Sequence, residues 1–158
     1  MRLRTPLLSL LCLVAVVSAV AADEAPVASL EDVLNQRVSF AADKQTLGEA
    51  LQQLSAEVVA AHPRSELAIQ ILAKDLELEG ISRNQFVGPF EVKDLRVAVV
   101  LTMILRQANP LKEAPIDKQM LVWVRGPDPK DANRTIVLIT TRKVAAKKYR
   151  LASPFIKT

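Results

Sequence analysis

The side chains with the most chemical potential are few, and they lack partners at useful spacings. His62 is the only histidine and directly precedes Pro63, with no second histidine, cysteine or paired acid nearby. A metal site or a catalytic dyad needs such partners. We therefore expect His62 to serve a helix end or the surface. Cys12, the only cysteine, lies in an apolar N-terminal run that we expect to be removed.

One acidic group has the composition of a calcium loop but not its spacing. Asp128, Asp131 and Asn133 do not follow the Asp-x-Asp-x-Asp-Gly pattern, and no glutamate follows them to bind a calcium ion through both oxygens. We interpret these residues as a solvated hairpin tip.

A second acidic group contains the carboxylates that general acid–base chemistry uses. Asp75, Glu77 and Glu79 lie in a polar stretch that we interpret as an exposed face. The serines of the chain lack an adjacent base or a nucleophile-elbow motif. The sequence therefore predicts no catalytic residue, no cofactor and no metal, and an enzyme is the least supported class of function.

The first 22 residues have the features of an export signal. Arg2 and Arg4 form a basic start, residues 7–20 are apolar, and small residues at 19–22 offer a cleavage site. The apolar run is shorter than the ~20 residues of a spanning helix, so we expect cleavage rather than a retained anchor. The sequence predicts export by the general secretory route to the periplasm or the medium, without stable membrane insertion.

The mature chain has little excess charge and few aromatic residues. Residues 1–22 contain two arginines and no acid, so their removal lowers the formal net charge from +4 to +2. Such a chain has neither the basic surface nor the stacking platform of a nucleic-acid-binding protein. Its aromatic residues are Phe40, Phe86, Phe90, Trp123, Tyr149 and Phe155.

A strand-then-helix phrase occurs twice in the mature chain. The first copy predicts a strand at 37–41 and a helix from Leu47 to about Ala61. Thr46 and Glu49 form a capping box at the start of this helix. Pro63 ends the helix, because the residue before a proline is disfavoured in the helical conformation.

The second copy has the same order. A strand at Phe90–Lys93 precedes a largely apolar helix at Leu95–Ala108, which we expect Asp94 to cap and the core to bury.

The remaining elements complete an α+β fold of the order βαβ-βαββ, with two helices packed against small mixed sheets. We expect a strand at 67–72 after the first helix, and a hairpin of strands 119–124 and 135–141 joined by residues 125–129. A last short extended stretch is expected at 149–156.

Five phrases of the chain resemble the short N-terminal domain of secretins and of signalling TonB-dependent receptors. They are VSFAADKQTLGEALQQLSAEV, AIQIL, FEVKDLRVAVVLTMILRQAN, MLVWV and TIVLITTR. The resemblance covers roughly residues 37–142, after a flexible lead with a short helical turn at 23–36 and before a basic tail at 143–158. It implies a secretin N-terminal-domain-like fold and a protein-interaction module without a catalytic centre, here expected to stand alone.

The function that we expect is recognition of another envelope or secretion-system protein by addition of a strand at an exposed sheet edge. The expected edges are 37–41, 119–125 and the strand around Tyr149, and we interpret the basic residues from Arg142 to Arg150 as a solvated terminus. The candidate interaction residues are Val38, Phe40, Val122, Val124, Tyr149 and Arg150.

An alternative function is a carrier of a small hydrophobic ligand. This function would need a cavity of more than ~300 Å³ between the helices and a sheet. The identity of the partner and self-association are left open by the sequence.

Overall fold

The computed structural model describes residues 28–82, 84–152 and 155, which form a mixed α+β fold of five helices and small sheets. The predicted export signal lies outside these residues. None of the helices in the described ranges has the length and apolar character needed to cross a membrane. The α-helices are α1 (Leu30–Asn35), α2 (Leu47–Ala61), α3 (Ala73–Glu77), α4 (Val97–Ala108) and α5 (Arg142–Lys148), and a 3-10 turn spans Ile116–Lys118. The strands are β1 (Arg37–Ala42), β2 (Gln45–Thr46), β3 (Ile69–Ile71), β4 (Phe86–Val87), β5 (Phe90–Arg96), β6 (Leu121–Asp128) and β7 (Asp131–Thr141).

Local signals set both ends of α2, whose bounds are those predicted. The Thr46 hydroxyl accepts a hydrogen bond from the backbone N–H of Glu49, and the Glu49 carboxylate accepts one from the backbone N–H of Thr46 at 2.8 Å. These bonds satisfy backbone donors that a helix start leaves free. Hydrogen bonds from the Thr46 backbone N–H, and then from its hydroxyl, lower the pKa of Glu49. At the other end, His62 is the C-cap residue, as expected of a helix-end role.

The start of α4 differs from the prediction, because Asp94 does not cap it. Asp94 lies inside β5 with a φ of 51°, and its backbone N–H donates to the Ser39 hydroxyl at 3.3 Å. It is the extra residue of a β-bulge, after which β5 continues until Arg96 pairs with Arg37. Pairing with β1 therefore extends β5 beyond Asp94, the residue that local capping preferences favoured as the N-cap of α4.

The two copies of the strand-then-helix phrase interlock. Their first strands, β1 and β5, pair antiparallel in one two-stranded sheet, while β2 and β4 form another. The three-stranded sheet has the order β3-β7-β6, with β3 parallel and β6 antiparallel to β7. The predicted hairpin is thus confirmed, with longer strands than expected.

The core lies where α2 and α4 contact each other, the β1–β5 sheet and the three-stranded sheet. Polar side chains in this core are hydrogen-bonded: the Trp123 indole N–H donates to the Thr102 hydroxyl at 3.0 Å, and that hydroxyl donates to the Ala98 carbonyl at 2.7 Å. As predicted, α4 is the more buried helix. Its buried residues are Val97, Val100, Leu101, Thr102, Ile104, Leu105 and Ala108.

The chain after β7 forms a helix, although the sequence predicted a solvated terminus there. The Thr141 hydroxyl accepts from the backbone N–H of Val144 and so caps α5. The guanidinium of Arg142 donates to three backbone carbonyls at 2.7 to 2.9 Å, and burial lowers its pKa. The prediction is therefore wrong for Arg142, which ties α5 to the segment before β6 and to Phe155. The three carbonyls belong to Ile116, Gln119 and Phe155.

Candidate functional site

The six predicted interaction residues lie in or beside β1, β6 and α5. Tyr149 is partly buried, and Arg150 is exposed just after α5. The side chains of the other four are buried in the core, so a partner could reach only their backbone: Val38, Phe40, Val122 and Val124.

The outer edge of β1 is occupied by side chains from the region of α2. The Gln53 amide donates to the Ala41 carbonyl at 2.8 Å, and the His62 ring nitrogen Nε2 lies 3.1 Å from the Arg37 carbonyl. Edges covered in this way resist pairing with another chain. Strand addition at β1 would have to break both contacts.

The outer edge of β6 is occupied by the C-terminal part of the chain. Leu151 forms an antiparallel bridge with Val124, and the Arg142 Nε–H donates to the Gln119 carbonyl at 2.8 Å. Of the extended stretch predicted at 149–156, the described residues show this one bridge. The fold therefore covers the second predicted edge with the segment predicted as the third.

The free edge of β5 is irregular and charged. The bulge at Asp94 interrupts it, and the exposed Glu91 and Lys93 form an ion pair at 3.2 Å beside it. Bulges and charges are features that protect sheet edges from further pairing.

The outer edge of β3 is open. The Ala68 carbonyl accepts from the Val137 N–H at 3.0 Å, and the Leu72 N–H donates to β7 at 2.9 Å. Because alternate residues of a strand direct their backbone groups to the same side, Ile69 and Ile71 direct their N–H and C=O groups away from β7. Within the described residues, no strand pairs with this side of β3.

A groove of about 270 Å³ lies between this open edge and α2. The Ser55 hydroxyl holds the two walls together, because it donates to the Leu67 carbonyl at 2.9 Å just before β3. At Gly48, an added Cβ would meet no atom within 4 Å, so this end of the groove is open. All of its lining residues are uncharged: Gly48, Leu51, Gln52, Ser55, Ile69, Gln70 and Ile71.

Other surface grooves among the described residues have charged linings. One of about 450 Å³ lies beside β1 and includes the ion pair of Arg37 with Asp94 at 2.9 Å. Another of about 330 Å³ lies between β1 and β5 and includes Glu91, and one of about 250 Å³ at the end of α4 includes Arg106. The groove of about 450 Å³ lies between α2 and β1, but its lining includes the charged residues Arg37, Glu57 and Asp94, whereas a site for a small hydrophobic ligand is lined mainly by apolar side chains.

In the acidic group of Asp75, Glu77 and Glu79, two carboxylates have separate partners. Asp75 accepts from the Thr140 hydroxyl at 2.7 Å, and Glu79 pairs with Lys143 at 2.9 Å. In the part of the chain that the structure describes, no three His, Cys, Asp or Glu side chains are close enough together to hold a metal ion.

The group of Asp128, Asp131 and Asn133 forms the hairpin tip, as predicted. The Asp128 carboxylate accepts from the backbone N–H of Lys130 at 2.8 Å, and Asp131 accepts from that of Asn133 at 3.0 Å. Both carboxylates therefore stabilise the turn between β6 and β7.

The sequence interpretation missed the open edge of β3. It placed Ile69 and Ile71 on one strand face, but nothing local shows that this strand lies at the end of its sheet. The regular spacing of uncharged residues along α2 was the feature of the sequence that could have indicated a binding surface there. No protein-family model, curated protein or solved structure matches the chain.

Proposed function

We propose that this protein is an exported, non-catalytic protein-interaction module of the cell envelope, linked to a secretion or TonB-type system. Its partner binds by adding an extended segment to the outer edge of β3. The observation that carries the proposal is that the backbone N–H and C=O groups of Ile69 and Ile71 face outward beside an uncharged groove. The outer edges of β1, β5 and β6 are covered by side chains, interrupted by a bulge and bridged by Leu151, respectively.

The edge offers two donors and two acceptors from Ile69 and Ile71. At a net ~0.5–1.5 kcal/mol for each hydrogen bond, these groups fix the register of the added strand and supply part of the affinity. The groove supplies the rest by burial of apolar surface. Strand addition is therefore matched to both the polar and the apolar parts of the site.

The proposal includes a secretin N-terminal-domain-like fold. It is supported by the residues quoted for the resemblance and by the order of the elements, in which two strand-then-helix units share two sheets. In such an arrangement the apolar side chains of the strands are buried in the core, so sheet edges are the surfaces available for recognition.

The experiment compares capture of envelope proteins by the purified chain and by two variants at one position. Ile71→Pro removes the outward N–H, whereas Ile71→Ala removes a comparable part of the side chain and keeps the N–H. We expect the wild type and Ile71→Ala to capture the same partner and Ile71→Pro to lose it, with folding of each variant checked by circular dichroism. Retention of the partner by folded Ile71→Pro would contradict strand addition at this edge.

A further inference from the structure

An uncharged stripe on α2 forms one wall of the groove at β3. Three of its four residues line the groove, and the fourth, Val59, is 45% exposed and continues the stripe. Their spacing of i, i+4, i+7 and i+11 places them on one helix face. The stripe consists of Gly48, Gln52, Ser55 and Val59.

The acidic residues of α2 lie away from this stripe. At about 100° per residue, Glu49 is turned about 100° from Gly48, and Glu57 is turned about 180° from it. Glu49 is used in the capping box, and Glu57 lines the groove beside β1. A segment at the β3 edge would therefore meet no charge of α2.

The part of the stripe that lines the groove sets the length of the segment that can be seated. From Gly48 to Ser55 the helix rises by about 10 Å, at about 1.5 Å per residue. A strand covers this distance in about three residues at ~3.3 Å each.

The walls also set the alternation of its side chains. Ile69 and Ile71 are partly buried against the core, and Gln70 faces the opposite side of the sheet. An added strand has the same alternation, so every second side chain faces the stripe on α2. A charged side chain at such a position would lose water without gaining an opposite charge.

Resting on the proposed function, we propose that the occupant is an uncharged extended segment of a partner protein, about three residues long, with apolar side chains at alternate positions. Its backbone pairs with Ile69 and Ile71, and its apolar side chains contact the stripe. This assigns the chemistry of the partner at the site, in addition to its mode of binding.

The test uses two blocked seven-residue peptides and isothermal titration calorimetry. One peptide alternates Thr and Val, and the other has Glu in place of the central Val. We expect the wild-type chain to bind the neutral peptide at least 10-fold more tightly than the acidic one. Gln52→Lys, which places a positive charge on the stripe, should reverse this preference.

The control is Ala60→Lys, which adds the same charge to an exposed position of α2 outside the groove. It should keep the preference of the wild type for the neutral peptide. A reversal by Ala60→Lys as well would overturn the assignment, because a general charge effect would then explain the result.

The remaining outcomes separate the partner chemistry from the mode of binding. If the wild type binds both peptides equally and Ile71→Pro loses both, strand addition stands and the uncharged partner is wrong. If folded Ile71→Pro still binds the neutral peptide, the proposed function itself fails. Failure of the wild type to bind the neutral peptide, or a dimer of the free chain that Ile71→Pro dissociates, also overturns the uncharged partner segment.

Discussion

Arg142 illustrates how a residue's environment decides its role. In the sequence it begins a run of basic residues that is typical of a solvated terminus, yet its side chain reaches three carbonyls from two other segments. The planar guanidinium suits this geometry because it offers several donors in fixed directions. Nothing in the basic run itself distinguishes Arg142 from exposed neighbours such as Lys147 and Lys148, since the carbonyls are distant in sequence.

Replacement of Arg142 should destabilise the fold. Arg142→Lys keeps the charge but cannot reach all three carbonyls, so we expect the free energy of unfolding to fall by about 1–3 kcal/mol. Urea denaturation would measure the change. The matched variant Lys148→Ala, at an exposed position of α5, should change stability by less than about 0.5 kcal/mol. Equal effects of the two variants would show that the carbonyl contacts do not stabilise the fold.

Glu49 should make the stability of α2 depend on acid pH. Its pKa is lowered from 4.5 in the folded state by bonds from Thr46. The ionised carboxylate therefore stabilises the fold above the unfolded-state pKa, and this stabilisation is lost as the pH falls through the lower folded-state pKa. We expect Glu49→Gln to flatten the dependence of unfolding free energy on pH below about 4.5. An unchanged pH slope in thermal melts of the variant would contradict this role.

At the scale of elements, the sequence predicted correctly the helix ends that interactions between neighbouring residues determine. The bounds of α2 followed from Thr46, Glu49 and Pro63, because capping and proline geometry act within a few residues. The start of α4 was not predicted correctly. Aspartate is a common N-cap residue, but Asp94 lies in β5 because that strand pairs with β1. The cap of α5 at Thr141 was a local signal that the basic run obscured.

Substitution of Gly48 should change both the stability of α2 and the affinity of binding at the groove. It lies in the first turn of the helix, and a Cβ there would meet no atom within 4 Å. Gly48→Ala should therefore raise the free energy of unfolding by up to about 1 kcal/mol, because alanine favours the helix. The added methyl group enters the open end of the groove, so binding at the β3 edge should weaken.

The comparison variant is Gly80→Ala. Gly80 also has open space around it but has a φ of 69°, so alanine there should destabilise the fold by about 1–2 kcal/mol and leave binding unchanged. A stabilised Gly48→Ala variant with full binding would show that the partner does not use this end of the groove.

At the scale of the whole molecule, the pairing of distant strands decided the candidate site. The sequence predicted the α+β class and the repeated units, but not that β3 pairs in parallel with β7 while the chain after α5 bridges β6. These pairings join residues up to 68 positions apart, as in Ile69 with Val137. Local periodicity contains no information on such partners, so the predicted edges were those that the fold covers.

Export of the chain is the second prediction at this scale. We expect cleavage after Ala21 or Ala22, so that the exported protein begins at Ala22 or Asp23. Intact-mass spectrometry of the protein from the periplasmic or extracellular fraction would show the loss of the first 21 or 22 residues. A full-length mass in the membrane fraction would contradict cleavage.

The central claim is that a partner strand pairs with the outer edge of β3. Amide hydrogen exchange, followed residue by residue by nuclear magnetic resonance, tests it most directly. In the free protein, the outward N–H groups of Ile69 and Ile71 should exchange faster than that of Gln70, which faces β7. With saturating partner or neutral peptide, the account predicts strong protection of Ile69 and Ile71 and little change at Gln70. Binding with no added protection at these two amides, or with new protection along β1 or β6 instead, would contradict it.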